Sequence, residues 1–327
     1  MSAAGLLMEL NRLNIHVSLD GDDLRCSAAA GAMTPDIRNR ILQRRSEIVE
    51  FLRRADALEK EERAIVPLQT GGGRTPVFAL SGHKGDVFAF RRLVQHLGPS
   101  QPFFGLQPPG GYGEEPIGTV GELAAYFAAR IRAFHPEGPV AIAGYCSGGP
   151  VAFEIARQLR NSGASISFVA LIAAPYPTWF EAMRRPGPRM MHKLGGIGRH
   201  ARAIAALEHE HRVPYVRRLL NRLNPQNHDE PDPSLLHQDR IGSATLDAVR
   251  KYRPVAYSGY VGLLLPSARC PASMRAWLAV AQDAEEYFGP KGSHADMMLS
   301  EPHVSSTAEM FRRCYRNAEL RLRSERQ

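Results

Sequence analysis

Nothing in the 327-residue sequence approaches the roughly 20 consecutive apolar residues that a membrane-spanning helix needs. No basic stretch leads into a purely apolar one near the start, so no secretion signal is expected. Cysteine is scarce. The four residues, Cys26, Cys146, Cys270 and Cys314, are far apart and in neither disulfide-framework nor zinc-ligand spacing. These absences argue against a membrane helix and a disulfide scaffold, and they predict a reducing, cytoplasmic setting in which thiols stay free. Proline and glycine are scattered, so no long low-complexity tract is implied, and 44% hydrophobic residues suffice for a real core.

The net charge is +8, and much of the basic excess lies between Arg184 and Arg222 and around Arg321. No nucleic-acid-binding motif accompanies it. The excess reads as a solvated basic face or as a docking face for an acidic protein; neither nucleic acid nor membrane is expected as a partner.

Residues 1–55 read as a small separate α+β module. Leu6, Leu7, Leu10 and Leu13 share a helical face. "IHVSLDGDDLRCSA" reads as a hairpin around Asp20-Gly21. "TPDIRNRIL" opens with Thr34 as a helix cap and Pro35 at the first helical position, with Ile37, Ile41 and Leu42 on the apolar face. The stretch "LDGDDLRCSAAAGAMTPDIRNRILQRRSEIVEFL" resembles the TubC-type N-terminal docking domains of nonribosomal peptide and hybrid polyketide assembly lines. That resemblance implies that the hairpin captures the C-terminal segment of an upstream synthetase by adding a strand to its sheet, with Arg25 on the second strand facing acidic residues. A helical cap on the main domain is the plainer alternative.

Residues 56–65 are charged and weakly patterned, as a linker should be. From residue 66 to about 320 the rhythm changes. "TPVFAL", "PFFGLQ", "PVAIAG", "ISFVALIAA" and "GYVGLLL" are short apolar runs, separated by helical stretches such as 87–97, 119–134 and 149–161. The alternation predicts an α/β domain with a largely parallel sheet covered by helices. Residues 176–245 interrupt it with charged, proline-punctuated, helix-like sequence, as a lid inserted between late strands would.

"VAIAGYCSGGP" runs a strand into a glycine-flanked turn with Cys146 at its centre, the strand–turn–helix setting of a nucleophile elbow. A helix start favours negative charge and would lower a thiol pKa there. Ser147 is one step late for a nucleophile, and its backbone N–H suits half of an oxyanion hole. The loop "ALSGHKGD" offers the amide of His83 as the other half. A base is expected later in the chain, and His294 in "GPKGSHADMMLSEPHV" has the flanks for it; His303 lies in a helix-like context.

The segments "TPVFALSGHKGDVFAFRRLVQHLGPSQPFFGLQPPG", "PVAIAGYCSGGPVAFEIARQL", "VALIAAP" and "GSHADMMLSEPHV" resemble, in order, the α/β-hydrolase thioesterase domains that end nonribosomal peptide and polyketide synthesis. The resemblance implies Cys146 as nucleophile, His294 as base, residues 176–245 as lid, and a substrate carried on the phosphopantetheine of a carrier protein, with no metal or dissociable cofactor. Two positions depart from the family. Cysteine stands where serine is usual, and Ala173 occupies the usual place of the acid that orients histidine. Asp283 and Asp296 lie nearer His294 in sequence, but spacing does not show either reaching its ring.

Losing the orienting aspartate of a serine triad costs on the order of 10⁴ in turnover. A cysteine, starting near pKa 8.5, depends on it less. The two departures are therefore compatible with an active pair. Acyl transfer to Cys146 also exchanges one thioester for another and keeps the chain activated for water, an internal nucleophile closing a strained lactone or lactam, or an amine. The expected activity is that of a trans-acting thioesterase. Its rivals are a non-catalytic chain-binding scaffold and a proofreading type II thioesterase.

Overall fold

Short apolar runs that alternate with amphipathic stretches can bury themselves only as strands between helices, and the chain folds that way. The computed structural model describes residues 6–7, 9–10, 13, 15–20, 23–28, 32–52, 64–82, 86–110, 115–184 and 233–324, and the chain divides into two compact units, Met1–Arg63 and Ala64–Gln327.

In the first unit β1 (Ile15–Asp20) and β2 (Asp23–Ala28) pair antiparallel, with Asp20 opposite Asp23. Helix α1 (Pro35–Gln43) begins as its sequence requires: the Thr34 side chain accepts the Ile37 N–H at 3.3 Å, with Pro35 in the first turn. Leu6, Leu10, Ile15, Ile37, Ile41 and Ile48 form a separate small core. Two expected members are absent from it. Leu42 is 61% exposed and Leu13 48%. Leu42 follows Ile41 by one residue, about 100° around the helix, and both cannot face the same core.

The second unit holds a seven-stranded sheet in the order β3-β5-β4-β6-β7-β8-β9. Its strands are β3 (Ile65–Gln69), β4 (Val77–Leu80), β5 (Phe103–Leu106), β6 (Val140–Tyr145), β7 (Ile166–Ile172), β8 (Tyr257–Leu265) and β9 (Ala281–Phe288). Only β3 runs antiparallel to its neighbour. Every residue of β4, β5 and β7 is buried. That is why these segments read as unbroken apolar runs: a strand covered on both faces has no polar side to alternate with. Edge strand β9, by contrast, carries Asp283, Glu285 and Glu286.

Helices α2 (Arg91–Leu97), α3 (Val120–Phe134), α4 (Gly148–Asn161), α5 (Pro177–Ala182), α6 (Pro233–Lys251) and α7 (Val304–Ser324) flank the sheet, with single helical turns at Val87–Phe90, Ala272–Arg275, Ala276–Ala279 and Ala295–Met297. Helix α3 packs on α4, and α7 on α2, as two pairs covering the sheet. Full burial of Phe78, Phe103, Phe127, Phe153, Phe168 and Phe311 anchors the core, at about 1.5–3 kcal/mol per side chain. No described helix is long and apolar enough to cross a membrane.

The chain steps from β4 outward to β5 and then returns to place β6 on the other side of β4. Strand order therefore reverses between β4 and β6. In open α/β sheets the crevice at such a reversal, beyond the carboxyl ends of the strands, is where ligands bind.

Candidate functional site

Two loops meet at that reversal: Ser81-Gly82 after β4, and Cys146-Ser147 after β6. Cys146 sits at φ +53°, one of two described non-glycine residues with positive φ. A left-handed residue with a Cβ costs about 1–2 kcal/mol, so the surroundings must hold it there. They do. The Cys146 N–H donates to the Ile172 carbonyl at 3.0 Å, and the Cys146 carbonyl accepts the Gly149 N–H at 3.1 Å, which turns the strand directly into α4.

The flanking glycines are required by space. A Cβ on Gly144 would lie 2.6 Å from the Gly149 Cα, and one on Gly148 would lie 2.4 Å from the carbonyl oxygens of both Leu80 and Ser81. The tight turn presses the start of α4 onto the end of β4. This is the physical content of the glycine–nucleophile–glycine spacing.

A Cβ on Gly82 would sit 3.6 Å from the Cys146 Cβ, so the β4 loop lies directly against the thiol residue. The Ser147 side chain is fully buried, and its hydroxyl has no hydrogen-bond partner among the described residues. Its backbone begins α4, where the N–H groups have no intrahelical acceptor. His83, the expected second oxyanion donor, lies outside the described residues, as do residues 185–232 of the expected lid.

His294 follows β9 and caps the single helical turn Ala295–Met297. Its Nδ1 is 3.4 Å from the Asp296 N–H and also 3.4 Å from Asp296 Oδ2. The two contacts ask opposite things of the nitrogen: the amide needs a bare Nδ1, the carboxylate a protonated one. The Tyr145 hydroxyl donates to the Ala295 carbonyl at 3.0 Å. The residue before Cys146 is thereby tied to the residue after His294. That hydrogen bond brings the elbow and the His294 loop together.

Burial pushes the Cys146 thiol up to about 11; the Ser147 backbone N–H works against this, and the charge of Asp296 adds to it. The expected lowering by the helix start is thus overcome by desolvation, which disfavours the charged form. Burial therefore favours the neutral thiol at Cys146.

Ala173 directly follows β7 at φ +42° and is 2% exposed, its N–H donating to the Leu264 carbonyl at 2.9 Å. The usual acid position therefore holds no carboxylate, and its surroundings are apolar. Ala174 packs where a Cβ on Gly149 would be 2.3 Å away, and the buried Trp277 indole donates to the Ala174 carbonyl at 2.9 Å. Asp283 is committed elsewhere, gripped by Arg321 at 2.9 and 3.3 Å. Among the described contacts, Asp296 is the carboxylate that reaches the His294 ring. A carboxylate two residues after a histidine was visible in the sequence, but only the one-turn helix brings it back to Nδ1. His303 stands just before α7, half-buried, its pKa lowered by that burial.

Described residues of the expected lid, 176–184 and 233–245, make ion pairs with their surroundings, and beyond it Tyr252, just past α6, donates to Glu154 of α4 at 2.7 Å. Arg253 pairs with Glu181 at 2.9 Å, and Arg240 with Glu115 at 2.5 Å.

Comparison with known proteins places this geometry. Residues 75–259 match the model of the thioesterase domain family, and residues 4–54 match the TubC N-terminal docking domain. Among curated proteins, an atromentin synthetase of Tapinella panuoides is 35% identical over 140 residues, and one named an inactive atromentin synthetase, from Paxillus involutus, is 32% identical over 139; each match covers 42% of this chain. The chain spans about 15% of the length of these relatives. Among solved structures, the NocB thioesterase domain aligns with a TM-score of 0.56 at 23% identity, over 77% of this chain and 98% of that one. A four-domain nonribosomal peptide synthetase aligns with a TM-score of 0.58 at 20% identity, over 77% of this chain and 20% of that one. At those identities the likeness is one of fold: an α/β-hydrolase sheet with its elbow after β6. The chain belongs to the thioesterase domain family, with a TubC-type docking domain ahead of the thioesterase domain.

Proposed function

We propose that this protein accepts a peptidyl or polyketide chain from the phosphopantetheine thioester of a carrier protein onto Cys146 and then releases it. His294 takes the thiol proton as sulfur attacks the carbonyl carbon. The tetrahedral oxyanion is met by the backbone N–H groups of Ser147 and His83. Its collapse expels the pantetheine thiolate, which recovers the proton from His294. The acyl-Cys146 thioester then passes its chain to water, to an internal nucleophile that closes a lactone or lactam, or to an amine. No metal or dissociable cofactor enters this sequence.

The observation that carries the reading is the left-handed Cys146, held between two glycines that no larger residue can replace, in a chain of the thioesterase family. A thiol resting near pKa 11 calls for proton removal during attack rather than a standing ion pair. Residues 1–55 supply the partner: β2 is mostly exposed, Arg25 included, and a two-stranded sheet can accept the C-terminal segment of an upstream synthetase as a further strand.

Intact-protein mass spectrometry with a peptidyl thioester mimic tests this. An acyl mass on the wild type that is missing from Cys146→Ala, with product released from the same tube, is the expected result. A wild type that stays unmodified with a range of chains, beside a Cys146→Ala variant that supports product formation equally, leaves the second reading, a chain-binding scaffold. Ala173 and the relatives named inactive favour that second reading.

A further inference from the structure

If Cys146 carries the chain, as proposed above, His294 must be oriented without help from position 173. We infer that Asp296, within the histidine's own loop, is the positioning residue that holds the His294 ring in its working tautomer, and that Tyr145 holds that loop against the elbow. Three observations converge on it. The usual acid position is an alanine, buried in apolar surroundings with no carboxylate. Asp283, the other acidic candidate, is taken by Arg321. Asp296 Oδ2 lies 3.4 Å from His294 Nδ1, in the loop that Tyr145 ties to the elbow.

The chemistry follows from the two nitrogens of imidazole. For Nε2 to accept the thiol proton, the ring's single proton must rest on Nδ1. A carboxylate facing Nδ1 selects that tautomer and then stabilises the imidazolium that forms; the Asp296 N–H at the same nitrogen selects the opposite, idle tautomer. Asp296 thus decides between a working and a resting ring, and the carboxylate contact must outcompete the amide. An acid anchored on β7 would be fixed by the sheet. One in a single helical turn depends on the loop, and the Tyr145–Ala295 hydrogen bond fixes the loop.

The backbone at 173 supplies a control. Its φ of +42° is a conformation that aspartate tolerates better than alanine, so Ala173→Asp would place a carboxylate at the usual position without disfavouring the backbone. The full-length protein is mixed with a peptidyl N-acetylcysteamine thioester, and single-turnover formation of acyl-Cys146 is followed by mass. Asp296 is exposed enough for Asp296→Asn to fold normally. That variant should acylate roughly 10- to 100-fold more slowly with KM nearly unchanged, and Asp296→Asn/Ala173→Asp should recover several-fold. Asp296→Asn acylating at the wild-type rate overturns the inference, and so does a folded Asp296→Asn whose deficit lies in KM alone. A wild type that never acylates removes the Cys146 reading and this one together; wild-type acylation with an unaffected Asp296→Asn removes this one alone.

Discussion

The Tyr145 hydroxyl donates to the Ala295 carbonyl at 3.0 Å, so one hydrogen bond joins the neighbour of Cys146 to the neighbour of His294 across 150 residues of sequence. A net hydrogen bond is worth about 1 kcal/mol. Tyr145→Phe keeps the ring and removes the link. It should lower kcat about fivefold to tenfold with little change in KM, because the histidine loop loses its reference to the elbow. Equal kcat in steady-state thioester hydrolysis would show the loop to be held by other contacts.

Space around individual glycines predicts an asymmetric substitution series. Gly148→Ala drives a Cβ to 2.4 Å from two carbonyl oxygens and should destabilise the fold by about 3 kcal/mol or abolish it. Gly121→Ala, in α3 with open space around it, should stabilise by about 0.5–1 kcal/mol. Chemical denaturation of the two variants measures the difference.

Burial of the Cys146 thiol sets a pH dependence. With its pKa raised to about 11, the folded site holds a neutral thiol where an unfolded one would already ionise, so stability from this group is full below pH 9 and is lost as pH climbs toward 11. Alkylation at Cys146 should correspondingly rise about tenfold per pH unit from 8 to near 11. Site-resolved labelling that levels off near pH 8 would mean that the thiol is ionised far earlier than its burial dictates.

Glu154 is buried on α4 and accepts from Arg157, Gln158 and the Tyr252 hydroxyl. Burial alone would raise its pKa; the three donors together outweigh that and lower it. Tyr252→Phe removes one donor and should cost about 1.5–3 kcal/mol in thermal unfolding at neutral pH, since the acceptor is charged. Because the folded pKa lies below the unfolded one, the contribution of Glu154 is present above the unfolded value and fades as pH falls through the folded one. A Tyr252→Phe deficit that persists undiminished once Glu154 is protonated would place the effect in packing.

Much of the fold was legible because local chemistry and burial agree. Thr34-Pro35 announces α1, and the all-apolar runs of β4 and β7 announce strands with no solvent side. Where local pattern offered two faces, the sequence was ambiguous: Leu13 and Leu42 are apolar, and only packing shows that they face water.

At the site, the elbow was legible because close approach of backbone demands glycine, and glycine leaves its own mark in a sequence. The partner of His294 was not. Asp283 and Asp296 are equally acidic on paper, and what separates them is an Arg321 brought in from the last helix and a single helical turn that folds Asp296 back toward Nδ1. The thiol pKa belongs to the same class, because a helix start is a local feature whereas desolvation is the sum of everything packed around the sulfur. The sequence by itself determined the strand–turn–helix, the cysteine at its centre and the absence of an acid at 173. Tertiary structure alone decided which tyrosine stands beside the histidine loop and that Arg321 takes Asp283 away, because contacts across tens to hundreds of residues are set by how strands and helices pack, and no spacing along the chain encodes that packing.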